Sequence, residues 1–200
     1  PDATNTPIPP RAARLLELAR PLAGGPGPLT EAEERLLRAA AMGECADFRS
    51  GTRPADDPAR AADWAPGRVL RANRIAWLCT DPEASALVAR RGIWAAGARI
   101  EGDLDVRFAA VPFPLRLEDC AFRGALDLQD AQFRSVQLPG CHTGEIRADG
   151  LRTEGSLCLN RRFRAEGAVR LSGAQVGGNL TCRSAQFLCP DGTALSADGV

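Results

Sequence analysis

Few side chains in this chain have the chemistry to act. His142, the one histidine, stands between Cys141 and Thr143, and a Cys–His nucleophilic pair requires thiol and imidazole to face each other. Adjacent side chains on extended backbone point to opposite faces, so Cys141 and His142 are expected to diverge. Carboxylates cluster at Glu101, Asp103 and Asp105, and again at Asp127 and Asp130. A carbohydrate lyase or hydrolase places an acid and a base on one exposed face in this manner. Arginines interleave with these acids, which favours a solvated ladder of opposite charges. Arg161, Arg162 and Arg164 flank Phe163 and form the densest basic patch. Such a patch suits a phosphate or an acidic partner, or is simply an exposed corner.

Composition narrows the chemistry further. The 200 residues contain no lysine and no tyrosine, which removes Schiff-base catalysis and a phosphate-loop lysine together. Arginine alone supplies the 25 cations, balanced by 25 acids, for a net charge of zero. Neither the basic excess of a nucleic-acid binder nor the acidic excess of a DNA mimic is present, so no nucleic acid is expected as partner. The seven cysteines, Cys45, Cys79, Cys120, Cys141, Cys158, Cys182 and Cys189, are odd in number and include no Cys-x-x-Cys pair. They are read as small buried hydrophobes rather than as a zinc site or a disulfide framework. No Gly-x-Gly-x-x-Gly follows a strand and precedes a helix, and Gly173 to Gly178 falls between two strands as a corner. Neither a cofactor site, nor a metal site, nor a catalytic residue is therefore assigned. No run approaches the ~20 apolar residues that cross a bilayer, and no apolar signal segment follows Pro1. Cytoplasm is the expected location, with peripheral membrane association left open.

The elements that must position these residues divide at residue 91. Residues 1–91 read as helices joined by proline-rich loops. Arg11 to Arg20 carries Leu15, Leu16 and Leu18 and is stopped by Pro21, and Gly24 to Pro28 is a linker. Thr30 with Glu33 has the form of a capping box, opening a helix with Leu36, Leu37 and Ala40 on its apolar side and Gly43 at its end. Arg49 to Gly67 lacks an apolar period and reads as a surface loop anchored at Trp64. Val69, Ala72 and Ala76 recur at helical spacing, and Asp81 with Pro82 starts a second short helix ending near Arg90 and Arg91.

Over residues 92–200 the period changes. Apolar pairs two residues apart begin at Ile93, Leu104, Leu115, Leu126, Val136, Ile146, Leu157, Val169 and Leu180, in steps of 11, 11, 11, 10, 10, 11, 12 and 11. Gly102, Gly124, Gly144, Gly155, Gly167 and Gly178 each stand two residues before such a pair. So short a strand and turn cannot bury its apolar face alone and must stack on its own copies. Asp149-Gly150, Asp191-Gly192 and Asp198-Gly199, the pairs that would turn hairpins, miss the beat. Two elements per rung then give a parallel β-solenoid of about 22 residues per rung, about 4.8 Å apart. Between the apolar pairs, Asp105, Asp127, Arg147 and Arg170 form one outward stack, and Arg116, Gln137, Cys158 and Thr181 another. Cys182 joins a ladder with Leu159 and Leu138. Asp127 and Arg147 become neighbours in an exposed pair worth under about 1 kcal/mol.

Three segments carry a family likeness. Cys120-Ala-Phe-Arg-Gly, Ala131-Gln-Phe-Arg-Ser and Val136-Gln-Leu-Pro-Gly resemble the unit of pentapeptide-repeat proteins, with a small first residue and a central Leu or Phe turned inward. Strict repeats advance by five, whereas this chain mostly advances by about eleven. A longer stretch, from Trp77-Leu-Cys-Thr-Asp-Pro-Glu-Ala through Gly97-Ala-Arg-Ile-Glu-Gly-Asp-Leu-Asp to Val111-Pro-Phe-Pro-Leu, is similar to bacterial proteins often labelled membrane-associated oxidoreductase. The likeness covers residues from about 68 to 200. It implies a parallel β-helix. The label implies an oxidoreductase with flavin or nicotinamide, and some pentapeptide-repeat relatives imply DNA mimicry toward a topoisomerase.

The sequence thus predicts an α+β chain, a helical cap followed by a short β-solenoid, working as a non-catalytic interaction or scaffold module. A carbohydrate-active or oxidoreductase enzyme and a topoisomerase-binding DNA mimic are the alternatives. The expected partner contacts are Arg161, Arg162, Arg164, Asp105, Asp127 and Arg147. Ala194-Leu-Ser-Ala-Asp-Gly-Val resembles Ile146-Arg-Ala-Asp-Gly-Leu, so Val200 falls inside a further repeat. The coil is expected either to be cut short there or to self-associate through that end.

Overall fold

Amphipathic helices precede the coil and share its core. The structure, a computed structural model, describes residues 8–20, 28–190 and 192–200. Pro21, the linker glycines Gly24 to Gly27, and Asp191 lie outside the described residues. Helix α1 (Pro10–Ala19) buries Ala12, Leu15, Leu16 and Ala19, and α2 (Glu31–Met42) buries Leu36, Leu37 and Ala40. The capping box forms as read: Thr30 Oγ1 accepts from the Glu33 N–H, and Glu33 Oε2 accepts from the Thr30 N–H, both at 3.2 Å. Gly43 closes α2 at φ 72°.

Two expectations in this half need correction. Val69 does not open a helix: Val69–Arg71 is a strand paired in parallel with Arg99–Glu101, and α3 (Ala72–Thr80) begins only after it. Pairing Leu70 with Ile100, both fully buried, outweighs the local helical spacing. Helix α4 (Pro82–Leu87), capped by Asp81 Oδ1 accepting from the Ala84 N–H at 2.8 Å, stops at Leu87 rather than near Arg90 and Arg91.

From Ile93 the chain winds through about five turns of about 22 residues each. The strands form four parallel sheets, which we number as faces in the order the chain meets them within one turn. Face I contains Ile93–Ala96, Leu115–Glu118, Val136–Gln137, Leu157–Cys158 and Leu180–Thr181; face II contains Arg99–Glu101, Ala121–Phe122, His142–Thr143, Arg164–Ala165 and Gln186–Phe187. Face III contains Leu104–Asp105, Leu126–Asp127, Ile146–Arg147, Val169–Arg170 and Leu195–Ser196; face IV contains Ala110–Val111, Gln132–Phe133, Arg152–Thr153 and Gln175–Val176. Ala46–Asp47 and Val69–Arg71 extend faces I and II into the helical half. The eleven-residue beat is therefore half a turn and carries two strands. Its apolar pairs lie on faces I and III, while strands of faces II and IV turn one side chain into the core, such as Phe122 and Phe133.

Inward ladders hold the coil together. The Leu138 N–H donates to the Cys158 carbonyl at 2.8 Å and the Leu159 N–H to the Thr181 carbonyl at 2.7 Å, aligning Leu138, Leu159 and Cys182 in one column. A single buried cluster runs from Leu36 and Ile75 in the cap to Leu171 in the coil, so helices and first turn share one core. Toward the far end Leu180, Leu188, Leu195 and Val200 are exposed.

The corners differ in kind. Those from face I to II and from III to IV hold a left-handed residue in each turn, among them Gly97, Asp119 and Gly140 in the first set and Phe108, Asp130 and Gly150 in the second. Asp149-Gly150 and Asp198-Gly199 supply such corners, with Gly150 at φ 66° and Gly199 at φ 72°. Gly124, between faces II and III, serves otherwise: a Cβ there would lie 2.4 Å from the Gly102 carbonyl oxygen of the preceding turn. No peptide among the described residues is cis, Pro112 and Pro114 included. No helix among them is long and apolar enough to cross a membrane.

Candidate functional site

On face III the charges stack as the alternation predicts: Asp105 beside Asp127, Asp127 beside Arg147, Arg147 beside Arg170. The second outward stack, Arg116, Gln137, Cys158 and Thr181, also forms. Asp105 and Asp127, and Glu101 on the neighbouring strand of face II, each find a cation nearby, while Asp103 meets a backbone N–H. Asp105 pairs with Arg107 at 2.7 Å, and the hydrogen bonds from Arg107 hold its carboxyl below the ordinary range. Glu101 pairs with Arg99 at 2.7 Å, and Asp103 Oδ1 accepts from the Ala125 N–H at 2.8 Å. Asp127 lies 3.5 Å from Arg147 and 3.7 Å from Arg107, while Arg147 bonds more closely to Glu145, at 2.5 Å. One expectation is corrected here: Asp127 is only 5% exposed, so its pairing with Arg147 is not a surface pair. Face III turns its charges on one another.

A different surface gathers unspent charge. The loop from Arg49 to Trp64 crosses faces I and II and is fastened at both ends. Near its start, Arg49 holds Asp47 at 2.7 Å and Asp119 at 3.3 Å. Near its end, Arg68 donates from Nε to the Gly97 carbonyl at 2.8 Å and pairs with Asp56 at 2.9 Å. Its guanidinium also lies 3.7 Å from the centre of the Trp64 ring, a cation–π contact. Trp64 is buried, with its Nε1–H donating to the Ala55 carbonyl at 2.9 Å, the anchor expected of it. Arg99 donates to the Ala61 carbonyl at 2.9 Å.

The loop can lie there because of one small residue. The outward column of face II runs Arg99, Ala121, His142, Arg164 and Gln186. Ala121 leaves room for Ala61 and Trp64, which pack on it as a small separate cluster. Beyond Ala121 the column is uncovered. A cleft of about 1090 Å³ opens between the loop and the corner from face I to face II. Arg49, Arg53 and Asp57 contribute from the loop, and Asp119, His142, Arg161, Arg162 and Arg164 from the coil.

Arg161 and Arg162 are set apart by their backbone. Leu138 and His142 are separated by three residues, as are Cys182 and Gln186, but Leu159 and Arg164 are separated by four. The additional residue makes two successive left-handed positions, Arg161 at φ 55° and Arg162 at φ 69°. Phe163, fully buried, pins the bulge to the core while both arginines remain exposed. Arg164 is engaged, by Glu166 at 2.8 Å and Gln186 at 3.2 Å. His142 is half-buried, and burial lowers its pKa, with Asp57 opposing and Arg164 adding to the effect. Cys141 turns inward, its Sγ 3.1 Å from the Leu117 carbonyl oxygen, so thiol and imidazole do diverge.

The structure thus joins the predicted Arg161, Arg162 and Arg164 to His142 and to a loop wall more than a hundred residues earlier. It leaves Asp105, Asp127 and Arg147 on a separate face, in their own pairings. The participation of Arg49 and Arg53 carried no local signal, because only the folding of the loop over Ala121 brings them near. All seven cysteines are free; Cys79, Cys120 and Cys141 are buried and the other four half-buried. Burial pushes Cys79 up to about 12 and Cys45 up to about 11. The chain matches no protein-family model, no curated protein and no solved structure.

Proposed function

We propose that the chain is a non-catalytic interaction module, a rigid coil that presents the loop-roofed cleft to an acidic segment of a partner protein. One observation carries the reading: Arg161 and Arg162 stand exposed at the mouth of a concave site without an ion pair among the described residues. Arg107, Arg134 and Arg147 elsewhere on the coil are paired with acids; Arg123, Arg152 and Arg183 are exposed there as well, but none of them lines this cleft. Unpaired guanidinium forks in a cleft favour an incoming carboxylate-rich chain, through charge-assisted bonds that fix geometry. Parallel ladders beneath them hold the corner in place, so little ordering is needed on binding.

Fluorescence anisotropy with a labelled oligo-glutamate peptide tests this. The expected result is saturable binding in the range of roughly 10 to 100 μM, weakening as salt rises. It should be lost when Arg161→Gln and Arg162→Gln are combined. Absence of binding up to about 1 mM peptide, or binding indifferent to both substitutions, would overturn it.

A further inference from the structure

We infer that the cleft is built for a phosphomonoester dianion carried on a side chain of the partner, an inference that rests on the reading above. A carboxylate has one charge and two oxygens, enough for one guanidinium fork. Arg161 and Arg162 offer two adjacent forks, and Arg53 on the opposing loop wall is a third guanidinium with no acid partner among the described residues. A phosphorylated side chain carries about −1.5 to −2 charge at pH 7 and three acceptor oxygens, so it engages two forks at once.

The acids of the same cleft do not compensate these cations. Asp47 and Asp119 are both held by Arg49. Asp56 is held by Arg68 and by the N–H groups of Ser50 at 2.8 Å and Gly51 at 2.9 Å. Among the described residues Asp57 accepts only from the Ala59 N–H at 3.0 Å and keeps its charge, which leaves one acid in the cleft against Arg53, Arg161 and Arg162. His142, neutral at pH 7, supplies a further N–H donor one strand below Arg164.

Backbone conformation points the same way. Left-handed geometry costs a residue with a Cβ about 1–2 kcal/mol. The same corner is made by Gly140 one turn earlier and by Ser184 one turn later, so turning the chain does not require arginine. Two arginines on an inserted, strained bulge above a buried phenylalanine are explained by what they hold.

The test uses the full chain and three peptides of one acidic sequence, with serine, glutamate or phosphoserine at the centre, and inorganic phosphate as the fourth probe, all followed by calorimetry. Phosphoserine should bind at least about tenfold more tightly than glutamate. Combining Arg161→Lys with Arg162→Lys keeps the charge but removes the forks, and should erase that preference with the melting curve unchanged. Equal affinity for glutamate and phosphoserine overturns the inference and leaves the acidic-segment reading standing. Failure of all three peptides overturns both. Inorganic phosphate matching the phosphopeptide supports the dianion chemistry and overturns its placement on a partner.

Discussion

Arg161 and Arg162 hold their backbone in a shape that glycine would adopt without strain. Arg162→Gly is expected to stabilise the fold by up to about 1 kcal/mol, after the greater freedom of glycine in the unfolded chain is subtracted. For a chain of this size that raises Tm by about 2–4 °C, measurable by calorimetry, while binding at the cleft weakens. A variant gaining stability as it loses affinity separates a functional residue from a structural one. Asp127 makes the opposite case. At 5% exposure between Arg107 and Arg147, it is expected to lose about 0.5–1.5 kcal/mol on Asp127→Ala, because the Gln129 N–H loses its acceptor and the two arginines keep only Asp105 and Glu145. Denaturant titration reads this loss. The alternation of side chains made Asp127 and Arg147 neighbours on paper. Nothing local indicated that the carboxylate would be covered, since the arginines beside it come from the turns on either side.

The glycines of the repeated element share a sequence position but not a role. Gly124 is held by contact: a Cβ would press to 2.4 Å from the Gly102 carbonyl oxygen, so Gly124→Ala should cost about 1–3 kcal/mol. Gly144 occupies the equivalent corner one turn on, its φ is not positive, and a Cβ there meets nothing within 4 Å. Gly144→Ala is therefore expected to be neutral or to stabilise by up to about 1 kcal/mol. Comparing the two by chemical denaturation tests the stacking directly, because a hairpin model gives no reason for two equivalent glycines to differ. At this scale faces I and III were legible, since two inward side chains per strand make a period. Faces II and IV were not, because one inward residue among polar neighbours, such as Thr143 or Thr153, makes no pattern. The strand at Val69–Arg71 was hidden for a related reason: its pairing partner lies thirty residues downstream.

For the whole molecule, the fastening of the loop makes stability depend on pH. Hydrogen bonds from Arg49 hold the Asp47 carboxyl below its ordinary value of 3.8. Burial raises that of Asp56, but the Ser50 and Gly51 N–H groups with Arg68 outweigh it and bring it below 3.8 as well. Both folded values lie below the unfolded one, so their contribution is fully present above about pH 4 and lost as pH falls through the folded values. Asp56→Asn should flatten this acid limb and release the loop, seen as faster proteolysis between Arg49 and Trp64 at neutral pH. His142 acts at a higher window. Its folded pKa is below 6.5, so the unfolded chain takes up its proton first and stability declines as pH drops below about 6.5. What the amino-acid sequence determined by itself was the coil. A ladder is periodic, each turn meets the same neighbours, and periodicity is written into the spacing of Leu, Val and Gly. The capping box and Trp64 were equally local. Only the tertiary structure decided the cleft, because it depends on a non-repeating loop settling over one small residue, Ala121, and on a single inserted residue facing it. Neither feature recurs along the chain, so no spacing could announce it; three-dimensional proximity alone joins Arg53 to Arg161.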